Sequence, residues 1–171
     1  MIKVYISVGS NINPEENILL ALEKLKGYVR VISSSTFYRT MPIGRPEQSF
    51  FFNGVWLIDS DTAAKELKFG ILRRIEKELG RIRTQDKYAA RTIDLDILLY
   101  GNEVINEHDL IIPDPDIRKR SFIAVPLLEL DPSLILPDTG ESISSLDIIR
   151  ESKGLEAMYK FTEKLKERIG I

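Results

Sequence analysis

The alternation of apolar and polar residues divides this chain into strands and helices before any motif is considered. Ile2 to Val8 alternates and is rich in β-branched residues, the pattern of a strand. Gly9-Ser10-Asn11-Ile12-Asn13 is a turn. Asn13 as N-cap, Pro14 in the first helical position and Glu16 three residues after the cap predict a helix to about Lys26, with Ile18, Ala21, Leu22 and Leu25 facing inward. Tyr28 to Tyr38 reads as a second strand and Phe50 to Ile58 as a third, on either side of a breaker-rich loop from Arg39 to Gln48. Asp61 or Thr62 caps a long helix to about Leu79, with Ala64, Leu67, Ile71, Ile75 and Leu79 as its stripe and Gly80 closing it. A polar loop, Arg81 to Ala90, leads into a strand ending at Tyr100. A short β-rich excursion through Val104-Ile105 and Leu110-Ile111-Ile112, a helix from Phe122 to Leu130 and a last strand, Leu134 to Leu136, follow. The order β-α-β-β-α-β predicts an α+β fold, a ferredoxin-like α/β sandwich with a largely antiparallel sheet and helices on one face. Leu155, Met158, Phe161, Leu165 and Ile169 add a C-terminal helix.

Composition narrows the chemistry. The 171 residues suffice for one globular domain, with 43% hydrophobic and 29% charged residues. A formal net charge of −2 argues against a general nucleic-acid binder but leaves room for a small basic pocket. With no cysteine and a single histidine, His108, thiolate catalysis, disulfides, zinc-thiolate sites and histidine triads are excluded. No apolar run reaches the ~20 residues of a membrane span and no secretory signal pattern opens the chain, so a cytoplasmic protein with no membrane partner is expected.

The most informative stretch is Tyr88 to Tyr100. Strand alternation places Ile93, Leu95, Ile97 and Leu99 on one face and Thr92, Asp94, Asp96 and Leu98 on the other. Two carboxylates then lie about 7 Å apart along one side of a core strand, an arrangement that requires a cation. Arginines or a divalent metal satisfy it. Oxygen-only ligands favour Mg²⁺, which completes its coordination with phosphate oxygens. Arg81, Arg83 and Arg91 lie just upstream, so acids for a metal stand beside arginines for phosphate. A structural Asp–Arg pair is the plainer alternative. Phe51-x-Asn53 places an aromatic two residues from an amide. That pairing suits a flat polar heterocycle, and equally a core Phe beside an Asn satisfied at a bulge. The Arg81–Ala90 loop suits closure over an anion. The Gly9-Ser10-Asn11 turn lacks the fuller P-loop pattern and reads as structural.

Together, Val8-Gly9-Ser10-Asn11, Arg39-Thr40-Met41-Pro42-Ile43-Gly44 with Phe51-x-Asn53, Glu76-x-x-x-Gly80-Arg81-x-Arg83 and Arg91-Thr92-Ile93-Asp94-Leu95-Asp96-Ile97-Leu98 resemble the 6-hydroxymethyl-7,8-dihydropterin pyrophosphokinases of folate biosynthesis. The resemblance covers roughly residues 1–138. It implies transfer of the β,γ-pyrophosphoryl group of ATP to a pterin hydroxymethyl group, with AMP released and two Mg²⁺ ions held by Asp94 and Asp96. It further implies catalytic roles for Arg81 and Arg91. Thr40, Met41, Pro42, Ile43, Phe51, Asn53, Asp94 and Phe122 would take the pterin; Glu76, Arg83, Tyr88, Ile97, Arg118 and Arg120 would take ATP. Residues 1–138 would be the pyrophosphokinase domain, and 139–171 a helical extension packed on it or on a partner subunit, which opens a homodimer. A binding module without turnover and a Mg²⁺-dependent nucleotidyl transferase are the alternatives. The chain departs from the family at Asp114, where Pro-His is usual and Pro113-Asp114 stands here. It departs again at Tyr88, where tryptophan is common, and at Ala89-Ala90, where Gly-Pro is usual.

Overall fold

The computed structural model describes residues 1–171. In chain order it contains β1 (Ile2–Ser10), α1 (Pro14–Lys26), β2 (Arg30–Ser34), β3 (Tyr38–Thr40), β4 (Phe51–Ser60), a π-helical segment (Glu66–Leu72) running into α2 (Arg73–Glu78), and β5 (Asp94–Tyr100). After these come β6 (Ile105–Glu107), β7 (Leu110–Ile112), α3 (Ser121–Leu130), α4 (Asp147–Arg150), β8 (Glu156–Ala157) and α5 (Tyr159–Ile169). The α+β fold expected from the element order is present. β1 is the centre of the sheet, antiparallel to β4 on one side and β5 on the other. β2 and β3 pair in turn along the far edge of β4, and β8 adds to β3; all are antiparallel. β6 and β7 form a separate hairpin.

Strand alternation sorts the side chains into two cores. Val4, Ile6 and Val8 meet Trp56, Ile58, Leu95 and Ile97 under α1, α2 and α5. Tyr5, Val55 and Leu57 meet Ile123, Ala124 and Leu127 of α3 on the opposite face. The helices therefore cover both faces, where one was expected. The run Val55-Trp56-Leu57-Ile58 explains this: both of its faces are apolar, so each needs a cover. A register shift between Tyr5 and Ile6 moves Leu99 into the α3 core and Tyr100 into the other, against simple alternation.

Other expected elements change where side chains replace ladder partners. The Tyr28–Tyr38 strand breaks into β2 and β3. Between them Ser35 Oγ accepts from the Val55 amide, the Thr36 amide donates to Glu129, and the Phe37 amide donates to Thr162 Oγ1 of α5. Asn13 does precede α1, but at φ +40° its side chain makes no capping bond. Leu134 to Leu136 contributes one isolated bridge, Ile135 to Ser142, and no strand. The C-terminal stripe is largely spent within its own chain: Phe161 and Leu165 lie in the first core, with Phe161 edge-on to Phe37 at 5.6 Å.

Candidate active site

Away from α3, the face of the sheet that α3 covers turns from apolar to small and polar. Ser7 and Gly9 of β1, Asn53 of β4, and Asp94 and Asp96 of β5 replace Tyr5, Leu57 and Leu99. Register aligns them: Gly9 lies between Asn53 and Asp94, and Ser7 lies beside Asp96. This end of the sheet floors a cavity of about 470 Å³ walled by the loop after β3, the start of α3 and the Arg81–Ala90 loop. Gly9 is required for the convergence. A Cβ there would sit 2.7 Å from Asn53 Oδ1. Asn53 Nδ2 in turn donates to Thr40 Oγ1 at 2.7 Å, which fixes which amide atom faces Gly9.

Thr40, Met41, Ile43, Phe51, Asn53, Asp94 and Phe122 all line this cavity, as do Tyr88, Arg91 and Arg120. Pro42 does not. Phe51 belongs to neither core, whereas its neighbour Phe52 packs on Phe161 at 5.7 Å. The core alternative for Phe51-x-Asn53 is therefore replaced by an aromatic and an amide facing one concave space.

The two aspartates have different surroundings. Asp94 Oδ1 accepts from Arg81 at 2.5 Å and Oδ2 from Arg91 at 2.8 Å. Burial alone would raise its carboxyl, but the two guanidinium groups hold it below the usual carboxylate value. Asp96 has no such partner; Arg73 stands 3.8 Å away. Burial first, and then the charge of Asp94, push Asp96 from 3.8 up to about 7. Its side chain keeps 35% of its surface open. An ordinary structural Asp–Arg pair accounts for Asp94 but not for Asp96, an anion that the fold leaves underneutralised at a cavity. No third carboxylate, histidine or cysteine completes a metal cage around the pair. Two carboxylates with open space beside them fit Mg²⁺, which takes one or two protein carboxylates and finishes its octahedron with water and phosphate.

Glu76 organises the cations. It is buried, and its carboxylate accepts from Arg81 at 2.8 Å, Arg83 at 2.6 Å, Arg73 at 3.1 Å and the Leu95 amide at 2.9 Å. It lines none of the three cavities that Asp96 borders and sits behind the site, as the anchor of the arginines. A second cavity of about 280 Å³ holds Arg73, Arg81, Arg83, Lys87 and Arg91 around Asp94 and Asp96. A third of about 280 Å³ lies across Asp96 and is lined by Ile97, Lys68, His108 and Asp114. Asp96 borders all three. Arg118 is held elsewhere, by Asp138, Thr139 and Glu141. Asp114 caps a short 3₁₀ turn by accepting from the Asp116 amide at 2.8 Å, and burial pushes its carboxyl up to about 6.

Sequence patterns assigned no site role to three contributors. Asn11 ties the arginine loop down, accepting from the Arg91 amide at 2.8 Å and donating to Gln48 at 3.0 Å. Lys119 lines the large cavity. Arg73 reaches Glu76 and Asp96; its spacing of three residues from Glu76 was the available signal.

Comparison with known proteins bears on the same residues. Residues 5–132 match the model of the family described as 7,8-dihydro-6-hydroxymethylpterin-pyrophosphokinase. A 2-amino-4-hydroxy-6-hydroxymethyldihydropteridine pyrophosphokinase of Haemophilus influenzae is 39% identical over 142 residues, 81% of this chain and 88% of that protein. The Aquifex aeolicus protein of the same name is 38% identical over 80% of this chain and 85% of its own length. The Folic acid synthesis protein fol1 of Pneumocystis carinii is 43% identical over 83% of this chain, which spans only 19% of that protein. In solved structures, the Plasmodium falciparum HPPK-DHPS with pteroate superposes with a TM-score of 0.68 at 14% identity; it covers 99% of this chain, which spans 46% of that one. This last likeness concerns the fold.

Proposed function

Because this chain belongs to the 7,8-dihydro-6-hydroxymethylpterin-pyrophosphokinase family, we propose that it transfers the β,γ-pyrophosphoryl group of ATP to the hydroxymethyl group of 6-hydroxymethyl-7,8-dihydropterin, releasing AMP, at the cavity over Gly9. The observation that carries this reading is the convergence of Phe51, Asn53 and Phe122 on the same cavity as the unequal pair Asp94 and Asp96. A heterocycle stacking against the two aromatic rings presents its polar edge to Asn53 and to the backbone from Thr40 to Ile43. Its substituent then reaches toward Asp94.

Asp94 and Asp96 would hold two Mg²⁺ ions, which supply charge neutralisation and in-line alignment of the triphosphate. The remaining work falls to the chain. Arg81 and Arg91 pair with Asp94, and their bidentate forks would offer phosphate oxygens charge-assisted hydrogen bonds as charge builds during transfer. Arg83 and Arg120 extend the cationic wall, Ile97 borders the nucleotide in the third cavity, and Tyr88 lines the large cavity. Tyr88 also packs on Gly44, where a Cβ would lie 3.1 Å from its ring. Glu76 acts by holding the arginines, and Arg118 by fixing the segment at Asp138.

Small molecules are the partners in this reading, in a cytoplasmic setting that supplies ATP and Mg²⁺. No helix is long and apolar enough to cross a membrane. We assign residues 1–138 to the catalytic unit and 139–171 to its helical extension. Pairing of two copies through α5 would have to use the outer face of that helix, because Phe161 and Leu165 are already in the core.

Product analysis with ATP, Mg²⁺ and the pterin tests the reaction. AMP formed one-for-one with pterin pyrophosphate is the expected result; ADP, or nucleotide left on the acceptor, overturns it. A second test concerns Gly9. Gly9→Ala drives a methyl into Asn53 and is expected to raise the pterin KM about tenfold or more, the effect of disturbing one or two buried polar contacts, with little change in the KM for ATP. An unchanged pterin KM would remove Asn53 from the recognition edge.

A further inference from the structure

Two cations rooted in one helix, Lys68 and Arg73, line the third and second cavities, both of which Asp96 borders. The helix leading to the arginine loop is π-helical from Glu66 to Leu72, and the Arg73 amide donates to the Lys68 carbonyl, five residues back. Such wide turns are rare and often occur at functional sites. At ~3.6 residues per turn, positions 68 and 73 would lie more than a right angle apart around the helix; the wider turn brings them toward one side. Both side chains then reach the surroundings of Asp96. Arg73 lines the second cavity, with Nη2 3.8 Å from Asp96 Oδ1. Lys68 lines the third, where its ammonium donates to the Asp109 carbonyl at 2.7 Å.

Their placement differs from that of the other cations around the second cavity. Arg81, Arg83, Lys87 and Arg91 all sit on the loop between α2 and β5, whereas Lys68 and Arg73 are rooted in a helix. Lys68 is also the one lysine or arginine lining the third cavity, amid Asp96, Asp109, Asp114 and Asp116. A polyphosphate crossing Asp96 from the third cavity to the second would be repelled by this acidic wall unless a cation met it there.

We propose that Lys68 and Arg73 are nucleotide-phosphate contacts, one on each side of Asp96, forming an anchor for the triphosphate that does not depend on the position of the arginine loop. The proposal rests on the pyrophosphokinase reading of the site.

The probe is α,β-methylene-ATP with Mg²⁺, in which the bond to be broken is blocked, titrated calorimetrically in the absence of pterin. Lys68→Met and Arg73→Met are each expected to weaken binding about tenfold, the loss of one charge-assisted contact, and more at low salt than at high. Lys68→Arg and Arg73→Lys should recover most of the affinity. Lys65→Met, on the same helix but paired with Glu107, should bind as the parent does. Adenosine affinity should not change in any variant. Binding within twofold of the parent for both methionine variants would overturn the proposal, and so would an equal loss for adenosine, which marks a structural effect on the hairpin. If the parent protein binds the analogue but yields no AMP with ATP, the reaction is wrong while the anchor stands. If the parent binds no nucleotide, both fall.

Discussion

Replacing Asp96 with asparagine is expected to lower turnover at least about a thousandfold, the scale of losing a principal electrostatic contact to the reacting phosphates. It is also expected to leave the protein as stable as before, or more stable. The second half follows from linkage. The folded-state carboxyl titrates at about 7 against an ordinary 3.8, so the folded chain holds this proton more tightly than the unfolded chain. Below pH 3.8 the carboxyl is protonated in both states and places no charge against folding. As pH rises from 3.8 toward 7 the unfolded chain ionises first and stability falls, and above 7 the ionised group opposes folding in full. Asparagine removes the opposition. At pH 8 without divalent metal, the Tm of Asp96→Asn should equal or exceed that of the parent. At pH 3 the two should coincide. The same shift predicts that Mg²⁺·nucleotide binding near neutral pH releases a proton, so apparent affinity should rise with pH up to about 7 and then level. Titration in two buffers of different ionisation enthalpy measures that release. Near-normal turnover would remove Asp96 from the metal site, and a large fall in Tm would make it a structural residue.

Glu76 is expected to behave in the opposite way. Glu76→Ala leaves Arg73, Arg81 and Arg83 without their shared anion and the Leu95 amide without its acceptor. Breaking a buried ion-pair network by removing one partner typically lowers stability by about 3–5 kcal/mol. For a chain of this size that is a fall of roughly ten degrees in Tm. Activity should fall with it, because Arg81 loses one of its two carboxylate anchors and Arg83 its only one. Thermal melts together with ATP kinetics separate two roles for this residue. An unchanged Tm with a raised KM for ATP would make Glu76 a direct nucleotide ligand. A large loss of Tm would make it the support behind the arginines.

Much of this architecture is legible in one dimension because it depends on local periodicity. The β1 alternation, the α1 stripe and the Asp94-Leu95-Asp96 alternation each depend on neighbours within a few residues, and each took its expected form. The C-terminal stripe did so only from Phe161 onward: Leu155 and Met158 precede α5, because Glu156 and Ala157 pair with β3 as a strand. The family motifs were equally readable. Phe51, Asn53, Asp94, Asp96 and Phe122 do share one cavity.

What the sequence left open depends on residues far apart along the chain. The break between β2 and β3 is set by Glu129 and Thr162, about 90 and 125 residues downstream, which bind the backbone the strand would have used. The bulge that moves Leu99 to the other core exists only in the register of β5 against β1. The roles of the charged residues were least visible. Glu76, Arg118 and Arg73 look alike as charges in a row, yet one is buried behind the site, one is tied to Asp138 and one faces Asp96. Which strand carries the carboxylates and which loop carries the arginines can be read along the chain, because backbone alternation and composition are local. Which arginine neutralises which carboxylate, and why Asp96 is short of a partner, emerges only when the chain is folded, because Coulomb energy and desolvation depend on distances through space.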